Sequence, residues 1–339
     1  MYIVATISKN SYTADKIEKI LEAGARVLRF NFSHGSPEEM TKKIQVAQDV
    51  IEKLNLKSQV KILADLPGNK IRLGRFPGGE YVVEQGQEVL FQSGEDSPDS
   101  SVYIPINLEA ISQYVKENEE ISFGDGEIGF RVVQIVSPNS FRAVALNSRH
   151  IPEEKGVNFG QAVDRFEHLT EKTMGHIMNL KNINPDWVAF SFVNSAKNLS
   201  NLKAVLNKHY PNNTTRIVAK IESPLGIANI GEILDETDIV MIARGDLGLT
   251  VPYERLGILQ KQIIKLAREK KKEVIVATQI LDSLLDYYIP SRAEIADLTS
   301  IVLEGANGIM MAKETGISAT PEHSVAVAKK IIDAVQANM

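Results

Sequence analysis

The sequence predicts an α/β fold: a (β/α)8 TIM barrel with a small all-β lid domain inserted after the third strand. Three observations carry this. Eight short, β-branched apolar runs recur along the 339 residues, at 3–7, 27–32, 60–65, 187–192, 217–221, 239–244, 273–279 and 308–313. Amphipathic segments lie between most of them, at 14–25, 38–55, 255–271, 292–305 and 322–335. Strand–helix alternation implies parallel strands joined by crossover helices, and eight such units close into a barrel. The third observation is a break in this rhythm.

From 69 to 163 the helical pattern vanishes. Short strand-like runs replace it at 71–73 (IRL), 81–83 (YVV), 89–91 (VLF) and 102–104 (VYI), followed by ISFGDG at 121–126. The stretch GEDSPDSS at 94–101 reads as a surface loop between them. The expected organisation is therefore barrel 1–68, inserted β domain 69–163, barrel 164–339. Without the insert, the remainder is close to the roughly 250 residues of such a barrel.

Composition excludes several classes. A net charge of −5 gives no basic footprint for nucleic acid. There is no cysteine, so disulfides, thiol nucleophiles and Cys-ligated zinc are absent. The six histidines show no paired metal-ligand spacing. No apolar run approaches a membrane span, and the opening MYIVAT lacks the basic start of a signal peptide. A cytoplasmic protein with no nucleic-acid or membrane partner is expected.

In barrels of this kind the working groups gather where the strands end. Those positions carry Arg29, Asn31 and Ser33 after the second run, Asp65 after the third and Ser191 after the fourth. Lys220 and Glu222 follow the fifth, Arg244 and Asp246 the sixth, Thr278 and Gln279 the seventh, Lys313 and Glu314 the eighth. Each alone could be a cap or an ion pair; together they exceed what a structural rim needs. Lys220 and Glu222 share one face of a strand because side chains alternate with period two. Glu222 and Asp246 offer hard oxygen ligands to Mg2+ or Mn2+. Lys220 beside them could neutralise a phosphoryl group in flight. Gly245 allows close backbone approach, and amides at the following helix start could hold a carboxylate. Thr278 could orient a proton-carrying water, or simply end a strand.

The ordered motifs resemble those of the pyruvate kinase family. LRFNFSHG at 28–35 resembles its RLNFSHG segment, and KIE at 220–222 its catalytic KIE. ARGDLG at 243–248 matches its metal-binding motif, VATQILDS at 276–283 resembles ATQMLDS, and SRAE at 291–294 resembles TRAE. GVN at 156–158 and LTEK at 169–172 resemble the return from the lid. The resemblance implies phosphoryl transfer from phosphoenolpyruvate to a nucleoside diphosphate. Glu222 and Asp246 would bind Mg2+ or Mn2+, and Lys220 would stabilise the transferring phosphoryl group. Arg29 would sit near that group, Gly245 and Asp246 would hold substrate, and Thr278 would lie near the carbon to be protonated. His34, Arg72 and Lys155 would face the nucleotide.

Asn31, Ser33, Asp65 and the carbonyl of Leu66 match the family's potassium site. This chain has DLPGNK at 65–70 where many members have DTKGPE. The ammonium of Lys70 could take the monovalent cation's place, so K+ is expected to be dispensable. Other departures fall on the acceptor side: Ser8-Lys9 for the usual Gly-Pro, Asn194 for an arginine, Ala312-Lys313 for Ser-Gly, and Ile317 for a lysine. Most members continue beyond the position of Met339 into a regulatory domain, so C-domain allostery is not expected, and a homodimer through barrel faces is. The other readings are a paralogue serving another phosphoryl acceptor or another pyruvate-enolate chemistry, and a non-catalytic phosphoenolpyruvate-binding regulator.

Overall fold

Eight parallel strands close into a barrel, in the neighbour order 2–7, 308–311, 273–277, 239–243, 216–221, 187–190, 61–66 and 27–31. The computed structural model of the chain describes residues 1–33, 35–68, 70–159 and 169–339. In chain order the strands are β1 (Tyr2–Ile7), β2 (Val27–Asn31) and β3 (Lys61–Leu66), then β4 (Glu80–Val83), β5 (Glu88–Ser93), β6 (Ile104–Ile106) and β7 (Glu120–Phe123). Next come β8 (Ile128–Ser137), β9 (Ser140–Ala145), β10 (Arg149–Pro152) and β11 (Val157–Asn158). The barrel resumes with β12 (Trp187–Phe190), β13 (Arg216–Ile221), β14 (Ile239–Ala243), β15 (Glu273–Ala277) and β16 (Gly308–Met311). β3 and β12 are direct neighbours, with Asp65 opposite Ala189, although about 120 residues of chain separate them. The predicted α/β barrel is what the chain forms.

Backbone contacts divide the chain into two compact units. One comprises Met1–Gly68, Glu167–Leu247 and Arg255–Met339; the other comprises Asn69–Phe166 and Gly248–Glu254. The smaller unit holds β4–β11 around a core in which Phe91 packs against Phe123, Phe130 and Phe141 at centroid distances of 5.1–5.4 Å. Edge-to-face and offset aromatic pairs of this kind add to plain burial of apolar area.

Strand parity explains how the barrel builds a site. Parallel strands covered on both faces read as continuous apolar runs. Along each, alternate residues point into the barrel. Val4, Val27, Leu63, Ala189, Val218, Met241, Ile275 and Met310 form part of one buried interior cluster. Two residues onward on the same faces lie Thr6, Arg29, Asp65, Ser191 and Lys220. The interior is thus apolar low down and polar at its C-terminal end.

The helices are bounded by readable chemistry. The helix Pro37–Lys53 starts with a Ser36/Glu39 capping box and proline at its first turn. The helix Arg292–Glu304 starts with a Ser291/Glu294 box and stops at Gly305, whose φ of 85° is left-handed. Helices Glu171–Ile183, Ala196–His209 and Ile230–Glu236 fall outside the segments singled out by periodicity. No described helix is long and apolar enough to cross a membrane.

Several runs end sooner than their composition suggests. β12 and β15 stop two residues early because Phe192, Thr278 and Gln279 adopt φ of 53°, 70° and 50°. A left-handed residue cannot continue a strand. β16 stops early because a short helix begins at Lys313. In the smaller unit, 71–73 contributes only isolated bridges through Arg72 and Leu73, and the expected strand at 102–104 forms instead at Ile104–Ile106. β8 and β9, its longest pairing, fall outside the predicted runs: residues 133–136 of β8 (VQIV) are all exposed, so apolar and polar residues there do not alternate in step with burial.

Candidate active site

The polar layer at the end of the barrel is one connected network. Arg29 binds the Asp65 carboxylate through Nε at 2.8 Å and Nη2 at 2.7 Å, and donates from Nη1 to Thr6 Oγ1 at 3.0 Å. Lys220 Nζ donates to Ser191 Oγ at 2.8 Å and lies 3.3 Å from Asp65 Oδ1 and 3.2 Å from Glu222 Oε1. The contact with Oδ1 is electrostatic and is not a formed hydrogen bond. Ser191 Oγ donates to Leu66 O at 3.1 Å. Glu222 Oε2 accepts the Phe192 amide at 2.6 Å, which the left-handed turn at Phe192 presents to it.

Every member is buried. Asp65 and Glu222 are each 1% exposed and Lys220 9%. Burial opposes charge on Lys220 most strongly, yet Asp65 and Glu222 together hold its pKa above the usual lysine value. Burial likewise opposes ionisation of Asp65, but Lys220 and Arg29 keep its pKa below the usual carboxylate value. Glu222 goes the other way. Burial first, then the charges of Asp246 and Asp65, push its carboxyl up to about 7 despite Lys220 and the Phe192 amide.

That pressure is an observation about fit to a metal. Asp246, in the first turn of the helix Arg244–Thr250, stands close enough for its charge to be felt at Glu222. Two carboxyls crowded at a buried edge suit a divalent cation, which would relieve their repulsion. Among the described residues no group of three or more His, Cys, Asp or Glu gathers to hold a metal. Two carboxylates are nevertheless the protein share that Mg2+ commonly uses, its other positions going to water and substrate oxygens.

Thr278 and Gly245 are brought together. Thr278 Oγ1 accepts the Gly245 amide at 2.8 Å and donates to Ala277 O at 2.6 Å. A Cβ at 245 would stand 3.2 Å from Thr278 Oγ1, a tight contact that the bare glycine avoids. The amide expected to meet a substrate carboxylate is therefore engaged by Thr278 in this state.

The residues matched to a potassium site also have partners. Asn31 Oδ1 accepts the Ser33 amide at 3.0 Å, Asp65 O accepts the Phe32 amide at 2.9 Å, and Ser33 O accepts from Lys172 Nζ at 3.0 Å. Lys172 was quoted only as part of a motif, and nothing in its spacing signalled this contact. Lys70 lies in the smaller unit, its Cε and Nζ over Gly156, where a Cβ would be 2.7 and 3.3 Å from them. Arg72 donates to Glu154 O at 2.9 Å, and Lys155 pairs with Glu127 at 3.3 Å above Gly124. His34 lies outside the described residues.

Two residues escaped assignment. Ser191 appeared only as a strand-end residue, yet it links Lys220 to the end of β3. Arg244 was likewise only a strand-end residue, and its guanidinium binds Thr278 O, Gln279 O and Asp297 Oδ2. Among the departures, Asn194 is buried and accepts from Ser223 Oγ, and its carbonyl accepts from Asn229 Nδ2 at 2.8 Å. Ile317 is half exposed, and its carbonyl accepts from Asn10 Nδ2 at 2.7 Å.

Comparison with known proteins follows the same residues. The family model described as pyruvate kinase, barrel domain, matches residues 1–325. The chain is 36% identical over 329 residues to a pyruvate kinase of Thermococcus litoralis, covering 97% of this chain and 68% of that protein. It is 32% identical to a pyruvate kinase of Methylorubrum extorquens (98% and 68% covered) and 31% identical to one of Thermotoga maritima (97% and 69%).

Proposed function

The chain belongs to the pyruvate kinase family, a phosphotransferase family, and on that premise we propose that it moves the phosphoryl group of phosphoenolpyruvate to a nucleoside diphosphate with Mg2+ or Mn2+. The bond between the enol oxygen and phosphorus breaks, and one forms to a terminal diphosphate oxygen. The enolate left behind takes a proton at its methylene carbon, giving pyruvate.

The observation that supports this most is the buried Lys220 ammonium, fixed by Asp65, Glu222 and Ser191 beside two crowded carboxyls. In this reading Lys220 and Arg29 face the transferring phosphoryl group, where fixed positive charge in a dry site acts strongly. Glu222 and Asp246 hold the divalent cation, which when bound supplies Lewis acidity and charge neutralisation. Gly245 and Asp246 border the substrate, and Thr278 holds the water that delivers the proton. His34, Arg72 and Lys155 serve the nucleotide, and the division at 68/69 and 163/164 belongs to the same proposal.

Potassium independence is part of the reading, supported by Lys70 and by Lys172 at Ser33 O. Activity retained when tetramethylammonium replaces K+ is the expected result; a strong loss refutes it. A homodimer is included, and light scattering in solution tests it. A second reading, transfer to another acceptor, is favoured by Ile317 where the family pattern has a lysine. One assay separates the two: phosphoenolpyruvate with Mg2+ and a panel of nucleoside mono- and diphosphates. Pyruvate formed with a diphosphate supports the first reading. Ligand-induced stabilisation without pyruvate from any acceptor supports the second.

A further inference from the structure

We propose that Arg244 is a positioning residue for protonation: it holds Thr278 and Gln279 in a left-handed backbone and so sets where the Thr278 hydroxyl points. This rests on the function proposed above. Thr278 and Gln279 have φ of 70° and 50° in succession. A β-branched residue rarely adopts such a φ, and such an outlier persists only where its surroundings impose it. Strain of this kind points to something that holds it.

Arg244 holds the carbonyls of this turn, while the Thr278 amide donates to Met310 O at 3.2 Å. Arg244 Nη2 donates to Thr278 O at 2.9 Å and to Gln279 O at 2.8 Å, and its Nε reaches Thr278 O at 3.3 Å. The planar guanidinium thus gathers two successive carbonyls that an extended chain would turn to opposite sides. Nη1 is anchored to Asp297 Oδ2 at 2.7 Å on the helix Arg292–Glu304. On the far side of the turn, Glu314 accepts the amides of Ile280 and Leu281 at 3.1 and 3.0 Å. The turn is clamped at both ends, and of the two clamping side chains Arg244 is the one that binds Thr278.

The consequence falls on one atom. Thr278 Oγ1 accepts the Gly245 amide and donates to Ala277 O, leaving one lone pair to accept a hydrogen bond from a water. If the backbone relaxes toward ordinary φ, Oγ1 swings away from both partners and from that water. A misplacement of about 1 Å at a reacting group costs on the order of 10²-fold. Arg244 touches no substrate in this account; it acts through Thr278.

The test is a double-mutant cycle on two partial reactions. Exchange of pyruvate methyl protons with D2O, read by NMR in the presence of Mg2+ and inorganic phosphate, reports enolate protonation. Pyruvate formation from phosphoenolpyruvate and a diphosphate reports the whole reaction. Arg244→Met should slow the methyl exchange by about 10²-fold, with the phosphoenolpyruvate KM nearly unchanged. In a Thr278→Ala background the same change should cost almost nothing further, because residues acting as one unit are not additive. Arg244→Lys keeps the charge opposite Asp297 but cannot span both carbonyls, and should show an intermediate loss; it serves if the methionine variant does not fold. Additive losses, a loss confined to KM, or a fully active lysine variant overturns the inference alone. A wild-type chain that neither exchanges nor transfers overturns the proposed function and this inference with it.

Discussion

The barrel rim and the Lys155 corner of the smaller unit both carry opposite charges within 3.3 Å, but they hold them in different ways. At the rim, Asp65, Lys220 and Glu222 are almost wholly withdrawn from water, and their contacts run through Ser191, Arg29 and the Phe192 amide. In the smaller unit, Lys155 and Glu127 are 30% and 44% exposed and meet over a bare glycine. A buried charge must have fixed partners, since an unpaired one is costly. An exposed pair is free to exchange partners and contributes little. The rim is therefore preorganised for a definite charge pattern, whereas the Lys155 corner is an exposed pair able to exchange partners.

The largest effect that would break this contrast is on stability. Asp65→Leu leaves Arg29 and Lys220 buried without their shared carboxylate, and should cost about 3–5 kcal/mol in urea unfolding. A loss below about 1 kcal/mol would mean that the rim behaves like a surface pair.

The second effect is a pH dependence. Burial and the neighbouring carboxylates push Glu222 up to about 7, above the ordinary glutamate value of 4.5. The folded state then keeps that proton more tightly than the unfolded chain does. Its contribution is full below the unfolded pKa and is lost as pH rises through about 7. The metal-free midpoint temperature should fall over that interval, less so in Glu222→Gln. Mg2+ should restore it best on the alkaline side, because metal and proton compete for the carboxylate. A flat profile for both proteins would contradict the crowding of Glu222 with Asp246.

The smallest effect lies in the other region. Lys155→Ala should change stability by no more than roughly 0.5 kcal/mol. It should raise the diphosphate KM while leaving that for phosphoenolpyruvate alone. An equal rise in both would erase the distinction between the two regions.

Much of the rim was legible because it obeys parity. Once Val218 is taken as interior, Lys220 must be interior too, and the same step from Leu63 leads to Asp65 and from Val27 to Arg29. What parity does not reveal is where a strand stops. Thr278 and Gln279 continue an apolar run, and nothing in VATQ announces two left-handed residues; the cause is Arg244, which lies 34 residues away in sequence from Thr278. The SRAE motif is legible in a plainer sense, because Ser291 and Glu294 form a helix capping box and Glu294 also accepts the Ser283 amide at 2.8 Å. Its recurrence in the family pattern thus has a structural cause. β8 and β9 were hidden because residues 133–136 of β8 (VQIV) are exposed on both faces, so the hairpin lacks the apolar/polar alternation that marks a half-buried strand.

The central claim is that the buried Lys220 ammonium carries phosphoryl transfer and is not merely the counter-ion of Asp65 and Glu222. Lys220→Met tests it most directly, with turnover and the thermal shift produced by phosphoenolpyruvate plus Mg2+ measured on the same protein. The account predicts a fall in turnover of at least about 10²–10³-fold with the ligand-induced shift retained. Turnover close to that of the unchanged protein would contradict it.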